Sequence, residues 1–120
     1  MKYIFDELRK DRFNIIPVIS NITNDDYNKV VKSIIKKDKK GICIRMFRSE
    51  IADINSELNV LLNFLEIDQS SVDLLLDLES LEDLTVDEIY QRSESKISEI
   101  NHLSKCRSFI ISGGNFPIFL

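Results

Sequence analysis

The sequence predicts an α/β fold in which helices alternate with the strands of a parallel sheet. Short runs rich in apolar and β-branched residues recur along the chain, and stretches with apolar residues at helical spacing separate them. This alternation is typical of βαβ units, whose long crossover connections make successive strands parallel. We therefore predict a four-stranded parallel sheet, with strands at 14–20, 41–47, 71–78 and 107–112.

The length and composition indicate one folded domain. The chain has 120 residues, of which 43% are hydrophobic and 30% are charged, and it contains only three glycines and two prolines. These values are typical of a globular domain and leave no low-complexity linker. We predict a single α/β unit over residues 1–120, with no separate second domain.

The helices between the strands are predicted from their ends and their apolar faces. Asn24-Asp25-Asp26 is a favourable helix start, and a lysine run followed by Gly41 is a favourable end. Thr85-Val-Asp-Glu88 has the spacing of a capping box that begins a helix reaching about Leu103. The first twelve residues form a shorter amphipathic pattern. The helix between the second and third strands has a core side of Ile54, Leu58, Leu61, Leu62 and Leu65.

The arrangement of these units favours part of a TIM-like (β/α) barrel. The first strand is not followed by the glycine-rich fingerprint of a doubly wound nucleotide-binding sheet, and every helix could lie on one side of the sheet. Pro17 lacks a backbone N–H, so the first strand fits best where one side of its ladder is open. Periodicity alone is compatible with an open sheet as well as with a barrel.

Four motifs in this order and spacing resemble the beta protein family, named after a protein of T-even bacteriophages. They are Ile16-Pro-Val-Ile19, Gly41-Ile-Cys-Ile-Arg45, Val72-Asp-Leu-Leu-Leu-Asp-Leu78 and Ser112-Gly-Gly-Asn-Phe-Pro117. The resemblance spans nearly the whole chain but only the middle portion of the longer family members. It implies a barrel-like α/β fold and a phage or prophage setting, and it implies no particular reaction.

The net charge and the two cysteines limit where the protein is expected to be located and what it is expected to bind. The net charge of −4 argues against general binding of nucleic acid or anionic membranes, which requires clustered Lys and Arg. The N-terminus does not have the apolar core of a signal peptide, so we expect a cytoplasmic protein without membrane association. Cys43 and Cys106 are predicted to be reduced core thiols. Their spacing does not match a metal site, and we expect no cofactor.

The candidate site lies at the carboxyl ends of the strands, where parallel α/β folds bind ligands. Alternation along the strands predicts that Arg45 and Asp77 are neighbours on the face opposite the helices. The candidate ligand-binding set is completed by Ser20, Ser112, Gly113, Gly114 and Asn115. Two interpretations remain open for the charged pair: it binds an anionic ligand, or its members only neutralise each other.

The residues around this pair leave further alternatives. The run from Ser112 to Asn115 allows either an anion-binding nest of backbone amides or a tight turn. Glu50 and Glu79 lie just past strand ends and could add acid–base capacity.

Two functional classes follow, with a third possibility of an inactive fragment. The first is a phage- or prophage-associated accessory protein that acts by binding another protein. The second is a barrel enzyme or a binder of a small anionic compound at the mouth formed by Arg45, Asp77 and Ser112. Open edges at the first and fourth strands also predict a homo-oligomer, because unpaired strand edges favour association.

Overall fold

The described part of the protein is a four-stranded parallel sheet with helices packed on one face. A computed structural model describes residues 4, 6–7, 15–81, 84–100 and 103–114. The strands are β1 (Val18–Ser20), β2 (Ile42–Phe47), β3 (Val72–Ser80) and β4 (Ser108–Gly114). They lie in the order β1-β2-β3-β4, and each neighbouring pair is parallel. The predicted α/β class and four-stranded parallel sheet are confirmed. The sheet is open, so closure into a barrel stays a prediction.

Helices α1 (Asp25–Asp38), α2 (Ile54–Leu65) and α3 (Val86–Glu99) alternate with the strands. Asn24 caps α1 as predicted, because its side-chain oxygen accepts a hydrogen bond from the Tyr27 N–H at 2.8 Å. The left-handed residue that ends α1 is Lys39, with φ 55°, rather than the glycine predicted for that role. Gly41 also has a positive φ, of 80°, but it lies at the entry to β2.

The hydrophobic core lies between the sheet and helices α1 and α2. Alternate residues of the two central strands are fully buried, among them Ile44, Met46, Leu74 and Leu76 at 0% exposure. The predicted core side of α2 is confirmed, because Ile54, Leu58 and Leu65 are buried and the two remaining leucines pack against them. The strand alternation predicted from the sequence therefore assigns the correct residues to the helix-covered face.

Strand β1 forms one edge of the sheet and is shorter than predicted. Only three residues pair with β2. Pro17 precedes them, and its carbonyl accepts a hydrogen bond from the Cys43 N–H at 3.0 Å. The N–H and the carbonyl of one strand residue point to the same neighbouring strand, so Pro17 keeps its carbonyl bond to β2 but has no N–H to donate there. This fits a proline at the very start of a strand whose pairing begins at Val18. The predicted N-terminal helix falls outside the described residues except at 4, 6 and 7, which are helical.

Helix α3 differs from α1 and α2 because none of its residues is buried. Its last turn contacts the first turn of α2, where the Asn55 side chain donates to the Glu99 carbonyl at 2.6 Å. The segment after α3 contributes to the core instead, because Ile100 is 6% exposed and Leu103 packs against the core cluster. Helix α3 is thus peripheral, and its stability depends on its own sequence and cap more than on packing.

Replacing Thr85 with alanine should therefore unfold α3 locally. The Thr85 hydroxyl accepts the Glu88 N–H at 3.2 Å, which confirms the predicted cap. Losing it should cost about 1 kcal/mol of helix stability. We expect faster amide hydrogen exchange across α3, with little change in the exchange of β2 and β3. Unchanged exchange in α3 would show that the cap does not hold the helix.

None of the described helices combines the length and the apolar character needed to cross a membrane.

Candidate functional site

The face of the sheet opposite α1 and α2 carries the predicted site residues, and we call it the bare face. In-register positions of parallel strands share a face, and one such row contains Ser20, Arg45, Leu75 and Ile110. The next row contains Phe47, Asp77 and Ser112. These two rows lie toward the carboxyl ends of the strands. The Arg45 side chain and the residue Ile110 are each 45% exposed there.

Arg45 and Asp77 form an ion pair on neighbouring strands. The Arg45 Nε donates to Asp77 Oδ2 at 3.0 Å, and its Nη2 donates to the same oxygen. The guanidinium also stacks on the Phe47 ring, with its carbon 4.5 Å from the ring centroid. The predicted contact between these two residues is thus present, and an aromatic ring holds the arginine in place.

The two members of the pair differ in their exposure to solvent. The Asp77 side chain is 9% exposed, whereas that of Arg45 is 45% exposed. Burial acts to raise the pKa of Asp77, but hydrogen bonds from Arg45 and from the Glu79 N–H, together with the charge of Arg45, outweigh it. The net effect is a pKa below the usual value for aspartate, so the carboxylate is ionised at neutral pH.

A turn after Asp77 fixes the second oxygen of its carboxylate. Glu79 adopts a left-handed conformation, with φ 64°, and its N–H donates to Asp77 Oδ1 at 2.7 Å. The Glu79 carboxylate accepts hydrogen bonds from the N–H and the hydroxyl of Ser49, both at 2.9 Å. Glu79 therefore joins the end of β3 to the turn after β2. This structural role is observed, and the acid–base capacity suggested for Glu79 from the sequence stays a prediction.

Asn21 contributes to the same edge and was not singled out from the sequence. Its side-chain oxygen accepts the Phe47 N–H at 3.1 Å, and its amide nitrogen donates to the Phe47 carbonyl at 3.4 Å. The side chain thus continues the ladder beyond the last residue of β1. Only its place directly after a strand could have indicated this role.

A second ion pair lies toward the amino ends of the strands. Arg107 donates to both oxygens of Asp73, through Nε at 2.9 Å and Nη2 at 2.7 Å. Hydrogen bonding from Arg107 lowers the pKa of Asp73 below its usual value despite partial burial. Nη1 of Arg107 also donates to the Lys40 carbonyl at 2.8 Å, which ties β4 to the entry of β2. This pair is structural.

The two cysteines are free thiols, and both are only half-buried. Cys106 packs against the core. Cys43 lies on the bare face instead, in the same row as Asp73, so its predicted place in the core is wrong. Burial, followed by the nearby charge of Asp73, raises the pKa of Cys43. The thiol therefore stays protonated at neutral pH and is a poor nucleophile.

The remaining candidate residues have different surroundings. Ser20 is 6% exposed, and its hydroxyl accepts the Ile22 N–H at 3.2 Å, so it stabilises the turn after β1. Ser112 lies in register with Asp77. Gly113 and Gly114 continue β4, and the Gly114 carbonyl accepts the Leu81 N–H at 3.2 Å. This extended backbone forms neither the nest nor the tight turn considered at 112–114. Asn115 lies outside the described residues.

The Arg45–Asp77 pair places a fixed cation beside a buried carboxylate. Among the described residues, no hydrogen-bond partner is present for Nη1 of Arg45, so that nitrogen can donate to an additional acceptor. The same part of the chain contains no group of three or more His, Cys, Asp or Glu residues that could hold a metal ion.

The comparisons with known proteins identify the family of the chain. No curated protein and no solved structure matches it. A family model described as Beta protein matches residues 1–120, which is the full length of the sequence and includes all four strands. This agrees with the resemblance carried by the strand motifs. The chain therefore belongs to the Beta protein family.

Proposed function

We propose that this protein acts by binding another protein chain through the bare face, as an accessory protein of a phage or prophage. The observation that carries this proposal is the bare face itself, which no described helix covers. The family resemblance supports the phage setting, and the two free thiols fit the cytoplasmic location expected from the sequence.

The residues of the bare face have the composition of a protein interface. Val18 and Ile110 are 44% and 45% exposed, and Leu75 lies between Arg45 and Ile110 in the same row. Phe47 and Arg45 stack beside them. Aromatic residues and arginine are enriched at the centre of interfaces, and exposed apolar patches commonly mark binding surfaces. The ion pairs Arg45–Asp77 and Asp73–Arg107 give this surface a polar pattern that a partner must match.

A second copy of the chain is the partner that the sheet fits best. The described sheet has four parallel strands, with β1 and β4 at its edges. Because all strands run the same way, β4 of one copy can pair in parallel with β1 of another. Two copies would then contribute eight strands, the number at which a parallel barrel closes around its side chains. Pairing in this way would cover both edges and the bare face together.

The test is the mass of the full chain in solution, measured by light scattering over a range of concentrations. We expect a dimer. Ile110→Asp should weaken association at least tenfold, because it places a carboxylate in the covered face. Val86→Asp is the matched control, since Val86 is 82% exposed on α3 and should leave the dimer unchanged. A monomer at all concentrations, or equal effects of both variants, would refute pairing through the bare face.

A second candidate function is the binding of a small anionic ligand by Arg45. The exposed side of the Arg45 guanidinium favours this function. A small carboxylate or phosphate compound would bind at Nη1 while Nε and Nη2 remain on Asp77. In that case Arg45→Met would abolish binding of the compound without changing the mass of the dimer, which separates this function from the first.

A further inference from the structure

A polar cleft lies beside α3, away from the bare face. It has a volume of about 380 Å³ and is lined by Arg48, Glu88, Gln91, Arg92, Ser95 and Lys96. Arg48 follows the last residue of β2, so the cleft opens at the carboxyl end of the sheet. The five residues from α3 lie at positions i, i+3, i+4, i+7 and i+8 of the helix, which places them on one side of it. None of the six belongs to the bare face.

The lining of this cleft contains three cations and one carboxylate. Arg48 is held by its Nε, which donates to the Leu78 carbonyl at 3.4 Å. Its two terminal nitrogens have no hydrogen-bond partner among the described residues, and neither does the guanidinium of Arg92. Lys96 is paired with Glu99 at 3.4 Å. Two guanidinium groups thus face one cleft without a described counterion.

The carboxylate of Glu88 only partly offsets this charge. Glu88 accepts a hydrogen bond from the Thr85 hydroxyl at 3.2 Å, so its position is set by the helix cap. It forms no ion pair with a described cation. The chain as a whole has a net charge of −4, which makes a local excess of positive charge in a cleft notable. Such an excess attracts anions, because the fields of neighbouring positive charges add in the cleft.

We propose that this cleft binds the phosphate group of a small phosphorylated molecule. Guanidinium groups recognise phosphate through paired hydrogen bonds, and Arg48 and Arg92 have the free donors for this. Gln91 and Ser95 also line the cleft and add uncharged donors. The volume fits a small ligand, and the carboxyl end of the strands is where α/β proteins bind such compounds. This site is independent of the proposed protein interaction through the bare face.

The proposal is tested first with inorganic phosphate, by following the backbone amide signals of the full-length protein by NMR at low ionic strength. We expect saturable shifts at Arg48 and along residues 88–96. Arg92→Gln should weaken phosphate binding at least tenfold. Lys37→Gln is the matched control, because it removes one positive charge from the exposed side of α1. It should change the affinity for phosphate less than twofold. Glu88→Gln should tighten binding, because it removes the carboxylate from the cleft.

A second titration with glycerol 3-phosphate distinguishes a phosphorylated molecule from free phosphate. Binding at least tenfold tighter than that of inorganic phosphate supports the proposal as stated. Equal binding of both would restrict the site to the free ion and overturn the assignment to a phosphorylated molecule. The whole proposal fails if phosphate produces no saturable shifts, or if Lys37→Gln weakens binding as much as Arg92→Gln. Amide shifts of α3 without phosphate show whether each variant keeps the helix.

Discussion

Replacing Gly41 with alanine is expected to lower the free energy of unfolding by about 3 kcal/mol, a large effect for one methyl group. Gly41 has φ 80°, which side chains rarely adopt, and a Cβ built there lies 2.2 Å from the Ser71 carbonyl oxygen. That oxygen belongs to the backbone just before β3 and cannot move without disturbing the pairing of β2 with β3. The same Cβ lies 2.9 Å from Nη1 of Arg107.

Gly114→Ala is the matched control for this substitution. A Cβ at Gly114 has ordinary contact with the Glu79 carbonyl, at 3.7 Å, and Gly114 has no positive φ. We expect a change of less than about 0.5 kcal/mol, as is usual for surface positions. Urea denaturation of both variants measures the difference. Similar midpoints for the two would mean that the close approach of Gly41 to Ser71 is not rigid.

Replacing Arg45 with methionine should cost about 2 kcal/mol, between the values for exposed and for fully buried ion pairs. The variant leaves the Asp77 carboxylate buried without its cation. Asp77→Asn should cost less than about 1 kcal/mol, because an amide oxygen can still accept the Glu79 N–H and the remaining Arg45 is half exposed. The structure therefore predicts unequal effects of the two substitutions, because the two side chains differ in exposure.

A double-mutant cycle separates a structural pair from a ligand site. If the pair is structural, Arg45→Met with Asp77→Leu should recover much of the loss caused by Arg45→Met alone. Negligible coupling, together with stable single variants, would instead favour a site that awaits a ligand. Urea midpoints of the wild type, of Arg45→Met, of Asp77→Leu and of the double variant provide the coupling energy. The mass of each protein in solution shows whether it still associates.

The pH dependence of stability should change in the same variant. Because the pKa of Asp77 is lower in the folded protein than in the unfolded chain, its contribution is fully present above the unfolded pKa. That contribution is lost as the pH falls through the folded pKa. In Arg45→Met, burial is opposed only by the Glu79 N–H, so the folded pKa of Asp77 should rise above its unfolded value. The stability deficit of this variant relative to the wild type should therefore shrink as the pH falls through that raised pKa. Asp73→Asn serves as the comparison for this pH dependence. It removes the carboxylate of the other ion pair, while Arg107 still donates to the Lys40 carbonyl.

The regular part of the fold could be predicted from the sequence because its signals are local. Apolar alternation in β2 and β3 identified both faces of the sheet, and Asn24 and Thr85 identified two helix starts. The contact between Arg45 and Asp77 followed from the same alternation. The strand faces and helix starts share one property: each is set by neighbours a few residues away along the chain.

The rest depended on contacts between distant segments. The helical pattern of α3 is as clear as that of α1, yet only the fold shows that α3 lies off the core. Glu79 resembled a free carboxylate because its partner, Ser49, lies thirty positions away in the sequence. The extended conformation at Gly113 and Gly114 comes from pairing with the end of β3, which overrides the turn tendency of two glycines.

The side chain of Asn21 has a consequence for how the chain leaves the sheet. An amide group has the same donor and acceptor as a peptide unit, so Asn21 satisfies both polar groups of Phe47 while its own backbone is free to turn toward α1. Aspartate has no donor and would place a negative charge against the Phe47 carbonyl. Conversion of this one amide to a carboxylate would therefore loosen the end of β2 that carries Arg45 and Phe47.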